Sequence, residues 1–109
     1  MAYDEQLAAR IRAALAGRPS VREVRMFGGL SFMVDEQLTV AADSQGRLMV
    51  RCDPERVDEL LERPGASWPE MRGKPMSRGW LVVDSAGTSS AGDLEWWVAQ
   101  ALDHRAARG

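Results

Sequence analysis

One cysteine, one histidine and one lysine occur among the 109 residues, and that scarcity closes off several kinds of chemistry at once. Cys52 has no partner for an internal disulfide. With His104 as the sole imidazole, no cysteine–histidine metal cluster can be assembled, so no metal is expected. Acid–base or nucleophilic catalysis needs a histidine or carboxylate within hydrogen-bond reach of the nucleophile, and such pairs are few here. No apolar run approaches the roughly 18 residues of a spanning helix. The start, Met1-Ala2-Tyr3-Asp4-Glu5, is acidic where a secretory signal is basic and then apolar, so the expected location is the cytoplasm, away from any membrane. A net charge of −2 and a pI near 5.4 provide no global attraction for nucleic acid or lipid. Gly28-Gly29 and Gly73-Lys74 hint at phosphate loops. Neither has the Walker spacing with its Lys-Ser/Thr or the three-glycine dinucleotide fingerprint, and no cofactor is expected.

What is present suits a folded domain. The chain is 45% hydrophobic and 28% charged, and its length fits a single domain over residues 1–109 built on one core. Its organising stretch is Arg25-Met26-Phe27-Gly28-Gly29-Leu30-Ser31-Phe32-Met33-Val34, in which a glycine pair between β-prone residues predicts strand, tight bend or bulge, and strand.

In chain order, Leu7, Ile11, Ala14 and Leu15 recur at helical spacing over residues 4–17, which Gly17 and Pro19 end. Val21 to Phe27 reads as a half-exposed strand. Leu30, Phe32 and Val34 alternate with polar or outward positions, Asp35-Glu36 turns, and Leu38, Val40 and Ala42 resume the alternation as a hairpin. After the turn Asp43-Ser44-Gln45-Gly46, Leu48, Val50 and Cys52 fall on one face, with Arg47, Met49 and Arg51 on the other. Asp53-Pro54 opens a short helix with the stripe Val57, Leu60 and Leu61, stopped by Pro64-Gly65. A strand over Ser67 to Arg72 containing Trp68 and Met71, a loop over Gly73 to Gly79 and a last strand over Trp80 to Val83 follow. Gly87 to Gly92 reads as a small-residue linker, with Ser90 and Asp93 as a variant capping box. Leu94, Trp97, Val98, Ala101 and Leu102 mark the final helix, with fraying expected from Arg105 to Gly109. Short links force antiparallel neighbours. The expected fold class is α+β: a two-layer domain with an antiparallel sheet of five to six strands and three helices gathered on one face.

Two features bear on function. Arg22, Arg25, Arg47, Arg51, Arg72, Lys74 and Arg78 fall in the strands and their loops, while the helix from Asp53 to Glu62 is acidic. Brought together on the helix-free sheet face, several of these would hold phosphates or an acidic protein surface. Spread out, with Glu23, Asp43 and Glu70 as partners, they form an ordinary mixed-charge face. Trp96 points away from Leu94 and Trp97 on a helical wheel, the placement of an interface anchor or of a ring packed beneath a neighbouring segment. Two further residues have ordinary readings. Cys52 sits before a helix start that could stabilise a thiolate, against the alternative of a small buried strand residue, and His104 reads as a solvated or capping residue at a helix end.

Five blocks carry a resemblance: Met26-Phe27-Gly28-Gly29 with Phe32-Met33; Leu48-x-x-Arg51; Gly73-Lys74-Pro75-Met76; Gly79-Trp80-x-x-Val83; and Leu94-x-x-Trp97-Val98-x-x-Ala101-Leu102. Taken in order over about residues 5–103, they resemble the N-terminal domain of the TfoX/Sxy family. The resemblance implies a small α+β domain with an antiparallel sheet and no catalytic residues. For full-length competence regulators it implies control of DNA-uptake genes, with the catabolite activator protein as partner. Those regulators carry a second, helical domain that these 109 residues do not contain, so the competence role is not carried over whole.

The expected function is therefore a non-enzymatic regulatory or adaptor domain acting through protein–protein contact in transcription regulation. Its candidate binding residues are Arg25, Arg51, Arg72, Lys74, Arg78 and Trp96. Direct nucleic-acid binding is the alternative, and an enzyme built on Cys52 a more distant one. Edge strands and an outward Trp96 also invite a homodimer.

Overall fold

Asp4 sets the first element. Its Oδ1 accepts hydrogen bonds from the Gln6 and Leu7 amides at 2.9 and 3.2 Å, which caps helix α1 (Glu5–Ala14). Leu7, Ala8 and Ile11 form the buried face of α1. The computed structural model describes residues 3–26, 28–71, 74–75 and 79–108, without the side chains of 70, 71, 74, 75, 107 and 108.

Strands β1 (Val21–Met26), β2 (Gly29–Val34), β3 (Gln37–Ala42) and β4 (Leu48–Arg51) follow as successive antiparallel neighbours. The glycine pair serves two different needs. Gly28 adopts a left-handed φ of +76° at the bend, whereas a Cβ on Gly29 would collide with the Ala42 carbonyl oxygen of β3. At the next turn Asp35 and Glu36 both take left-handed φ values, +51° and +64°, as a two-residue hairpin turn of the primed type requires. Between Phe32 and Met33 the β2–β3 register shifts, and Thr39 is left over on β3 with its hydroxyl donating to the Gln37 carbonyl at 2.9 Å.

The chain then leaves the sheet and returns through it. Asp53 caps a 3-10 turn (Pro54–Arg56) that runs into α2 (Val57–Leu60). Strand β5 (Ala66–Ser67) is an edge, β6 (Glu70–Met71) and β7 (Lys74–Pro75) pair with each other in a separate two-stranded sheet, and β8 (Trp80–Val83) inserts between β4 and β5. The main sheet therefore runs β1-β2-β3-β4-β8-β5. The single strand expected over Ser67 to Arg72 is two, and Trp68 belongs to neither. Pro69 has no amide hydrogen to donate and restricts the residue before it, so the ladder breaks there. Within the expected loop over Gly73 to Gly79, Lys74 and Pro75 form β7, and residues 72, 73 and 76–78 lie outside the described residues.

Two segments expected to be irregular are helical. Ser85–Thr88 is a turn of helix, α3, capped by Asp84, whose carboxylate accepts from the Ala86 amide at 2.9 Å. Gly87 is small for packing: a Cβ there would meet the Pro64 carbonyl oxygen and the Val83 side chain. The last helix, α4 (Ala91–Arg108), continues through the tail expected to fray. Arg105 holds it there, with Nη1 2.9 Å from Asp35 Oδ2 at the β2–β3 turn. Ser90 caps its start, accepting from the Asp93 amide at 3.0 Å.

One core cluster holds the layers together. Leu30, Phe32, Val34, Val40, Ala42, Leu48, Val50, Leu81 and Val83 from the sheet pack with Leu7, Ile11, Val57, Leu60, Leu94, Trp97 and Val98 from the helices. Each large apolar side chain buried here contributes about 1.5–3 kcal/mol. Arg10 of α1 ties the helices to one another by donating to the Thr88 carbonyl at the end of α3 and the Ser90 carbonyl just before α4. Among the described residues no helix is long and apolar enough to cross a membrane.

Candidate protein-interaction surface

Residues directly opposite in a ladder share a face, so the core side chains identify the other side of the sheet. Leu48, Val50, Leu81 and Val83 point into the core, which sends Met49, Arg51, Trp80 and Val82 to the face away from the helices. There Arg51 lies opposite Trp80, its guanidinium carbon 5.7 Å from the ring centroid, a cation–π contact across neighbouring strands. The surface extends through Ala41 beside Met49, Ser31 beside Ala41, and Met33 beside Leu38. Val82 and Ala41 are buried and yet stand outside the helix-side cluster, while Met33, Leu38, Met49 and Trp80 are half-buried. Methionine side chains such as Met33 and Met49 are unbranched and adjust their shape to a neighbour.

The candidate binding residues are not gathered on this one face. Arg25 is opposite Leu30, hence on the helix side, with its guanidinium 5.9 Å from the centroid of Tyr3. Trp96 is on α4, half-buried against the core, meeting Trp97 edge-on at 5.0 Å and capped by the Arg63 guanidinium at 3.6 Å. Arg72, Arg78 and the Lys74 side chain lie outside the described residues. The other strand cations have carboxylate partners. Arg22 pairs with Glu36 at 2.6 Å and Arg47 with Asp43 at 2.9 Å. Hydrogen bonding to Arg22 holds the Glu36 carboxyl below its ordinary value and raises the Arg22 guanidinium; the same exchange runs between Glu23 and Arg12 of α1. Among the described cations of the helix-free face, only Arg51 is set against an aromatic ring, with Met49 two residues before it on the same strand.

The reactive-thiol reading meets an obstacle in burial. Cys52 is 1% exposed, with its amide donating to the Gly79 carbonyl at 2.8 Å. His104 is not at a helix end: α4 runs on to Arg108, and the imidazole joins Cys52, Asp53, Arg56, Leu60, Gln100 and Asp103 around a cavity of about 160 Å³ between α2 and α4. No group of three or more potential metal ligands occurs among the described residues. Of the two glycine hints, Gly28-Gly29 turns a hairpin between β1 and β2, while Gly73 lies outside the described residues.

Sequence reasoning placed Arg51 and Met49 together on one strand face but missed Trp80 as their neighbour, because the β4–β8 pairing spans an insertion that periodicity does not reveal. It also missed Arg63 as the cap on Trp96, for which sequence carries no signal.

Compared with models of known protein families, residues 13–105 match the TfoX N-terminal domain. No curated protein matches the chain at a significant level.

Proposed function

Because this chain belongs to the TfoX N-terminal domain family, a non-catalytic domain family, we propose that it is a regulatory module that works by binding a protein partner in transcription control. The observation that carries this reading is the helix-free sheet face, where half-buried Arg51 and Trp80 form a cation–π pair across β4 and β8, with half-buried Met49 two residues before Arg51 on the same strand face. Aromatic, methionine and arginine side chains are the types enriched where proteins meet. A net charge of −2 and the pairing of Arg22 and Arg47 with carboxylates favour a protein over a nucleic-acid backbone as the partner. Family kinship supports a competence-related regulatory role.

The test is complementation. A deletion strain changed in its transcript profile is supplied with the wild-type chain or with the double variant Arg51→Glu, Met49→Asp, both at surface positions of β4. The variant is expected to fold, as judged by circular dichroism, and to fail to restore the profile. Full restoration by the folded variant overturns the reading.

A further inference from the structure

Strand β1 is the end of the six-stranded sheet, and its free edge has a determined hydrogen-bonding pattern. The Asp35 amide donates to the Ser20 carbonyl at 3.0 Å, and the β1–β2 register places residue 20 opposite 35. Bonded and non-bonded pairs alternate along an antiparallel ladder. Arg22, Val24 and Met26 therefore turn their amides and carbonyls toward β2, while Val21, Glu23 and Arg25 turn theirs outward. No backbone partner reaches these three among the described residues.

We propose that this edge pairs with the β1 edge of a second copy of the chain, antiparallel, with Val24 on the two-fold axis. Only outward-facing residues can bond across the new seam, so odd-numbered residues must oppose odd-numbered ones, which restricts the axis to a residue position. Centring on Arg22, Glu23 or Arg25 sets that charge against itself. Centring on Val24 sets Glu23 opposite Arg25 of the second copy, and Arg25 opposite its Glu23, two attractive pairs made by symmetry. Each Glu23–Arg25 pair exchanges two backbone hydrogen bonds. Glu23 and Arg25 share the helix side of the sheet, being opposite Phe32 and Leu30, so the helices of both copies lie on one side of a continuous sheet. Charges on an edge ordinarily discourage pairing. Here their order, Glu23 then Arg25, selects one register and rejects its neighbours. The Arg51–Trp80 face plays no part in the seam, so a failure of this proposal and a failure of the functional reading are distinguishable.

The experiment is sedimentation equilibrium over a concentration series. The wild type is expected to reach twice its 12.0 kDa mass. Arg25→Glu, which turns both cross-seam attractions into repulsions, is expected to raise the dissociation constant about tenfold. Arg25→Pro removes an amide that β2 does not use and is expected to give monomer with an unchanged circular dichroism spectrum. Register is read by disulfide trapping, since Cys52 is buried and leaves an introduced thiol as the accessible one. Val24→Cys is expected to cross-link two chains under mild oxidation, and Arg22→Cys is not. A wild type that stays monomeric at every concentration, or a dimer that Arg22→Cys traps and Val24→Cys does not, overturns the proposal.

Discussion

The Arg63 guanidinium carbon lies 3.6 Å from the centroid of the Trp96 ring, and that ring in turn meets Trp97 edge-on. The three side chains form a series from exposed cation to buried indole, and their energetic weights differ accordingly. Trp97, 2% exposed and part of the core, is expected to cost about 3–5 kcal/mol when replaced by alanine. Arg63→Ala removes an exposed cation–π contact and is expected to cost about 0.5–1 kcal/mol. Urea denaturation of the two variants checks this; equal losses would mean that Arg63 does something other than cover the ring.

Glu36 sits at φ +64° in the β2–β3 turn, where a side chain with a Cβ is strained. Glycine removes a left-handed penalty of about 1 kcal/mol and also removes the exposed ion pair to Arg22. The backbone effect is the larger, because exposed pairs are screened. Glu36→Gly is therefore expected to raise the midpoint of thermal unfolding, and a lowered midpoint would show that the pair to Arg22 outweighs the turn.

Acid should weaken the fold through the same carboxylates. Glu23 and Glu36 are held below their ordinary value of 4.5, first by hydrogen bonds from Arg12 and Arg22 and also by the charges of those arginines. A carboxyl whose folded value is depressed adds stability above its unfolded value and loses it as pH falls through the folded one. The double variant Glu23→Gln, Glu36→Gln is expected to be less stable than wild type at neutral pH and to converge with it as pH falls below 4.5 and through the depressed folded-state values. A gap that persists in acid would assign the effect to packing.

Cys52 provides a probe of core integrity. At 1% exposure its thiol is expected to stay unreactive toward an aromatic disulfide reagent in buffer and to react once in denaturant. Rapid labelling of the folded protein would reopen the enzyme reading set aside above.

Much of the fold was legible because it is written in local terms. The alternation of Leu30, Phe32 and Val34, the Asp35-Glu36 turn and the stripe Leu94, Trp97, Val98 and Ala101 each follow from period and turn chemistry within a few residues. The errors fall where distant parts of the chain decide. Gly87 reads as a linker glycine until Pro64 and Val83 close around it, and the tail reads as frayed until Asp35 reaches Arg105. The candidate site was only half legible for the same reason. Arg51 and Met49 are two apart on one strand, but Trp80 and Arg51 are neighbours only once β8 returns between β4 and β5.

By itself, the order of residues determined the α+β class, the family, the first helix, the strands from β1 to β4 and the inward and outward sides of β2 and β4, because a two-residue or 3.6-residue period and a cap act over short separations. The register shift in β3 turned Leu38, expected inward with Val40 and Ala42, to the outer face beside Met33. Tertiary structure alone decided which strand ends the sheet, which cations find carboxylates and which aromatic ring Arg51 meets. Those outcomes depend on backbone segments dozens of residues apart being brought to within about 5 Å of one another, a distance set by the ladder and the shared core rather than by any local pattern.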